Sequence, residues 1–233
     1  MDLIQALAAE LGKDPRHVEN VVHLLDEGNT IPFIARYRKE LHGAMDDTSL
    51  RTLEERLQYL RGLEERREAV KKSIDEQGKL TDELTAAIDS AKTLAEVEDL
   101  YRPYKQKRRT RATMAKEKGL EPLAALLFAQ ERDCPRPEEA ARDFVDPEKG
   151  VETVEDALQG ASDIIAEQIS DDAAIRKSLR ALISRQGQLV SRAATEDDSV
   201  YRLYYDFTQS VARLQGHQVL AINRGEKEGI LKV

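Results

Sequence analysis

The residues best suited to chemistry in this sequence are cations in the company of aromatic rings. Between Arg102 and Lys118 stand eight cations and one anion, Glu117. The segment is therefore +7 within a chain whose formal charge is −8. Tyr101 and Tyr104 lie at its edge. Cations neutralise phosphates and release counterions, and exposed rings stack on bases. Tyr104, Lys105, Lys107, Arg108, Arg109 and Arg111 are accordingly candidate nucleic-acid contacts. Seven phosphate contacts would give log affinity a slope of at most about −6 against log salt. Two other readings fit the same residues. The loop lies across acidic helices of its own chain or against further domains, or it is simply solvated.

A second cationic cluster lies in Ile31-Pro32-Phe33-Ile34-Ala35-Arg36-Tyr37-Arg38-Lys39. Arg36, Arg38 and Lys39 are candidate phosphate contacts. The alternative is that Phe33, Ile34 and Tyr37 plug a neighbouring helix while the cations pair with its glutamates.

Catalytic chemistry has little to work with. His17 and His23 are six apart, whereas two ligands on one helix face need a spacing of four. Asp46-Asp47 and Asp171-Asp172 sit where helix caps belong, and Asp197-Asp198 lies in a polar loop. Gly78-Lys79-Leu80 lacks the upstream glycine and the hydroxyl residue of a phosphate-binding loop. No enzymatic activity, metal or cofactor is expected. The single cysteine, Cys134, excludes an intramolecular disulfide and a cysteine zinc site.

The elements that must position these cations are helices. The chain is 233 residues long, 34% charged and 40% hydrophobic, with no tryptophan and only seven prolines. From Asp46 to Gly78, the residues Leu50, Leu53, Leu57, Leu60, Leu63, Val70 and Ile74 recur at threes and fours, with one gap after Leu63. That is one long amphipathic helix, capped by Asp47 or Thr48, ended by Gly78 and roughly 45 Å long. Its other face, including Arg66 and Arg67, reads as wet. Shorter helices lie on this spine. Leu3–Leu11 and Pro15–Leu25 form a helical hairpin or helix-turn-helix-like pair joined by Gly12-Lys13-Asp14.

Later segments continue the pattern. Thr81 and Thr93 cap short helices, and Leu123 to Phe128 form another. Thr153 opens a second long stretch, in which Gly160 marks a close helix crossing. Asp171-Asp172 caps the helix that runs to Gly187, and this pair is expected to return along the spine. Past Gly187, Gln188 to Arg192 reads as a strand and Val219 to Ile222 as a helix. The terminal Ile230-Leu231-Lys232-Val233 reads as the first strand of a further domain. The expected fold is mainly α, an elongated multi-helix module around a spine helix with a little β structure near the C-terminus. Its divisions are 1–45, 46–187 and 188–233.

The run from Asn29 to Lys79, NTIPFIARYRKELHGAMDDTSLRTLEERLQYLRGLEERREAVKKSIDEQGK, resembles the N-terminal region of the Tex family, bacterial transcription accessory proteins. LAEVEDLY from Leu94, YKQKRRTRA from Tyr104, KGLEPLA from Lys118 and NRGEKEG from Asn223 extend the likeness over nearly the whole chain. Tex proteins are longer and continue into RNase H-like, helix-hairpin-helix and OB-fold RNA-binding domains, none recognisable here. The resemblance implies an N-terminal fragment that scaffolds those domains. It implies association with RNA or DNA through the full-length protein, and with RNA polymerase. A pure protein-interaction scaffold is the competing expectation, as is a non-catalytic part of a nuclease-like enzyme. A cytoplasmic location is expected, since the first residues lack signal-peptide character and no apolar run is long enough to span a membrane.

Overall fold

The computed structural model describes residues 3–106, 109–132, 134–195 and 198–233. Among these are twelve α-helices and one three-stranded antiparallel sheet. Contacts group the chain into two units, Met1–Tyr104 and Lys105–Val233.

The first unit is built on α4, Asp47–Asp75, about 43 Å long at 1.5 Å per residue. Asp46 caps it, accepting a hydrogen bond from the Ser49 N–H at 2.7 Å. The cap thus stands one residue earlier than expected. Asp47 is already in the first turn, where it pairs with Arg51. Gly78 follows the helix at φ +66°, and the Lys79 N–H closes the end onto the Ile74 carbonyl. The apolar stripe has the expected members, and its gap is occupied by Arg67. This corrects the wet assignment of that residue. Position 67 is four past Leu63 and three before Val70, so it falls on the buried face. Its side chain is 3% exposed, donates to the Ala91 carbonyl and pairs with Glu64.

Three helices, α1 (Leu3–Leu11), α2 (Pro15–Asp26) and α3 (Ile31–Tyr37), pack on the spine, as do α5 (Asp82–Ser90) and α6 (Leu94–Tyr101). Leu7, Val18, Val21, Ile34, Ile88 and Val97 join the spine leucines in one core. The spine's wet-face arginines and lysine reach back to these helices. Arg56 pairs with Glu10, Arg61 with Asp26, Arg66 with Glu98 and Lys71 with Asp89. The Arg56 and Arg61 hydrogen bonds hold the Glu10 and Asp26 carboxyls below the usual carboxylate range.

The second unit has its own core. Four helices build it: α7 (Arg111–Glu117), α8 (Glu121–Ala129), α9 (Pro137–Arg142) and α10 (Val154–Asp171). Ala112, Ala115, Leu120, Leu123, Ala141, Ala157, Ala161 and Ile164 fill it. Expected to run along the spine, α10 instead contributes its buried face to this core. Thr153 and Asp156 form a full capping box at its start. Gly160 does lie at a close crossing, since a Cβ there would come within 2.3 Å of Leu120 Cδ1 and 3.3 Å of Ala115 Cβ.

Asp172 caps α11 (Ala173–Gln186) by accepting from the Ile175 N–H. The sheet follows, with β1 (Gln188–Ala193), β2 (Asp206–Ser210) and β3 (Leu231–Lys232) in the order β2-β1-β3. Val190 faces Thr208 and Arg192 faces both Asp206 and Lys232. The terminal strand β3 pairs back onto β1. It is held by α12 (Gly216–Lys227), where Gly225 lets Leu231 and Tyr201 approach the backbone.

Candidate nucleic-acid interface

The two cationic clusters differ in what surrounds them. In the first unit, Pro32 stands in the opening turn of α3, and Ile31 and Ile34 bury one side of the helix against the spine. Seven residues of helix then leave Phe33, Arg36 and Tyr37 turned outward or half-buried. Tyr37 is 56% exposed, so it does not plug the spine. Its ring lies 5.3 Å from that of Phe33 at an interplanar angle of 46°. The Arg38 guanidinium sits 5.2 Å from the Phe33 ring, and that of Arg36 sits 6.0 Å from the Tyr37 ring. The helix ends at Tyr37, and Lys39 is exposed just beyond it. Among the described residues, no carboxylate makes an ion pair with Arg36, Arg38 or Lys39. Among the described residues these three make no pair with the spine glutamates: Arg36 and Lys39 are exposed, and half-buried Arg38 donates to the Tyr37 carbonyl.

The basic segment is more structured than a loop. Arg102–Tyr104 is a single 3₁₀ turn and Arg111–Glu117 is helix α7, which Thr110 caps by accepting from the Thr113 N–H. Tyr101 is tied down: its hydroxyl lies 3.0 Å from Ser73 Oγ, and Arg66 covers its ring. Tyr104 is half-buried against the first core, and its carbonyl accepts from Gln77. Lys105 is exposed. Arg109 pairs with Glu117 at 2.8 Å, while Arg111 lies 3.8 Å from Asp163. Lys116 faces Glu121, and Lys118 donates to the Gly150 carbonyl at 2.7 Å. Lys107 and Arg108 lie outside the described residues. The segment's charge is thus partly spent on its own unit, a fate the sequence pattern left open. Exposed pairs of this kind are worth only about 0–1 kcal/mol and compete poorly with a polyanion.

In the hairpin α1–α2, the early side chains of α2 have neighbours of their own. His17 Nδ1 and the Asn20 amide both reach the Leu41 carbonyl, at 3.0 and 3.1 Å, and Arg16 faces the capping Asp14. These early α2 side chains are the ones a recognition helix would offer to bases.

The acidic pairs serve caps and ion pairs. Asp46 and Asp172 cap helices, Asp47 meets Arg51, and Asp198 meets Arg202. Asp197 lies outside the described residues. No cluster of three or more His, Cys, Asp or Glu able to hold a metal occurs among the described residues. No described helix is long and apolar enough to cross a membrane.

Comparison with known proteins fits this architecture. Residues 1–75 match the family model "Tex-like protein N-terminal domain", and residues 133–233 match "Tex central region-like". A Bacillus subtilis protein, YdcI, is 48% identical over 99% of this chain and 32% of its own length. The transcriptional accessory protein Tex of Neisseria gonorrhoeae is 43% identical over all of this chain and 31% of its own. The human S1 RNA-binding domain-containing protein 1 is 31% identical over all of this chain and 24% of its own. The chain spans about a third or less of the length of these relatives.

Proposed function

We propose that this chain, which belongs to the Tex family, serves in transcription by contributing a contact for RNA or another nucleic acid from its first unit. The observation that carries this reading is the cluster of exposed Arg36 and Lys39 and half-buried Arg38 beside the Phe33–Tyr37 ring pair, whose Tyr37 is exposed, with no ion-paired carboxylate among the described residues to neutralise it. Phosphates meet the three cations while a base packs on Tyr37. Within the second unit, Lys105, Arg109 and Arg111 offer further cations of their own, the two arginines at the cost of loosening exposed pairs. The names of the relatives, a transcriptional accessory protein and an S1 RNA-binding domain-containing protein, support the same class of partner. In this reading the family's longer members bind nucleic acid mainly through other domains, and this chain scaffolds those domains and offers a surface to RNA polymerase.

The test is fluorescence anisotropy of labelled single-stranded RNA and duplex DNA at low salt. Three proteins are compared: the unmodified chain, the triple variant Arg36→Ala/Arg38→Ala/Lys39→Ala, and a variant with Lys107, Arg108, Arg109 and Arg111 changed to Ala. Binding should drop at least tenfold in the triple variant and less in the second. Equal binding by the unmodified chain and the triple variant, or no binding at all, would overturn the proposal.

A further inference from the structure

The three-stranded sheet is incomplete on one side. Strand β1 is six residues long, and β2 pairs with it from Gln188 to Arg192. β3 pairs with only two of its residues, Arg192 with Lys232 and Ala193 with Leu231. On that side β1 is therefore covered at its far end and is a bare edge from Gln188 to Ser191. The alternation of an antiparallel ladder says which groups are left over. The Ala193 N–H bonds to the Tyr205 carbonyl on the β2 side, and the Ala194 N–H bonds to the Ile230 carbonyl on the β3 side. Odd-numbered residues of β1 thus turn their backbone groups to β2, and even-numbered ones turn them the other way. Arg192 meets Lys232 there, but the N–H and C=O of Val190 and Gln188 have no partner among the described residues. Val190 is 40% exposed, and Gln188 is exposed too. An edge of this kind is a template for one more strand.

We infer that this edge is filled by the residues that follow the counterpart of Val233 in a Tex-family polypeptide, which extend β3 along β1 without a turn. Register selects this occupant. β3 runs antiparallel to β1 and is already seated at Arg192. Val233 then falls opposite Ser191, and the three positions after it fall opposite Val190, Leu189 and Gln188. A strand from another molecule surrenders translational freedom to reach the same place, and a continuation of β3 does not. The matched family models are an N-terminal domain and a central region, and the relatives carry about two thirds or more of their length outside the match. The extended strand delivers the following polypeptide to Gln188, beside the end of α11.

Hydrogen exchange read amide by amide by NMR tests this. The 233-residue chain is compared with the same chain lengthened by six residues, those that follow the counterpart of Val233 in YdcI. In the unmodified chain Val190 should exchange freely, while Leu189 and Ser191, which face β2, are protected. In the lengthened chain Val190 should slow by at least about tenfold, with Leu189 and Ser191 unchanged. Two proline variants of the lengthened chain fix the register. Proline at the first and third added positions removes the N–H groups that face Val190 and Gln188, and should return Val190 to fast exchange. Proline at the second added position, whose N–H faces away from β1, should leave Val190 slow. Equal exchange of Val190 in the unmodified and lengthened chains would overturn the inference, as would equal loss of protection in both proline variants. Protection of Val190 in the unmodified chain that rises with its concentration would give the edge to a second copy, and would overturn it too.

Discussion

Gly160→Ala is the sharpest structural probe of the second unit. A mid-helix glycine replaced by alanine should gain about 1 kcal/mol from backbone propensity alone. At this crossing the new methyl would stand 2.3 Å from Leu120 Cδ1, where a relaxed carbon contact is about 3.5–4.0 Å. Leu120 must therefore retreat by more than 1 Å, and it is only 1% exposed, so it has no solvent to retreat into. Ala115 at 3.3 Å closes the other side. Overpacking of this kind costs about 1–3 kcal/mol. The net expectation is a loss of roughly 1 kcal/mol, despite the better helix former. The sign should reverse once the obstructing side chain is shortened. Leu120→Ala alone costs about 2–5 kcal/mol, and adding Gly160→Ala to it should restore up to about 1 kcal/mol. Urea unfolding followed by circular dichroism gives all four values, with the two units allowed separate transitions. If Gly160→Ala stabilises the unmodified chain by the full propensity gain, α10 does not cross Leu120 closely and the reasoning fails.

Other outcomes follow from the first unit. Arg67→Ala should lower its stability by about 2–4 kcal/mol, because it empties space under the spine and strands the Ala91 carbonyl; a thermal melt within 1 °C of the unmodified chain would contradict this. Lowered Glu10 and Asp26 pKa values mean that their contribution is complete above the unfolded value near pH 4 and is lost as pH falls through the folded values. Both carboxylates are over a third exposed, so each contributes under about 1 kcal/mol. The variant Glu10→Gln/Asp26→Asn should therefore flatten the acid limb of a stability–pH curve without moving it at pH 7 by more than about 2 kcal/mol, and an unchanged acid limb would argue against those pairs.

Much of the helical frame was legible because its signals are local. The Leu50 to Ile74 periodicity, the positive φ of Gly78 and the Thr81, Thr93 and Thr153 caps each depend on a few neighbouring residues. Arg67 was misplaced because residue type alone argues for solvent, while its helical position argues for the core, and the position prevailed once Ala91 offered an acceptor. The place of α10 was misjudged for a different reason. An amphipathic stripe says that a helix has a buried side but not which partner covers it, and the alanines of α7 to α9 are a weak pattern. The pairing of β3 was not legible either, since two residues of strand carry no sign that they join β1. At the candidate interface, cation positions were readable, but ion pairing was not. Arg109 and Glu117, or Arg111 and Asp163, meet through turns and a helix crossing that charge counting cannot see.

The central claim concerns Arg36, Arg38 and Lys39, and the salt dependence of single-stranded RNA binding tests it most directly. Each phosphate contact on a single strand adds about 0.7 to the slope of log affinity against log salt. The account predicts that the triple alanine variant binds more weakly and that its slope is shallower by up to about 2. A variant whose affinity and slope both match those of the unmodified chain would contradict it.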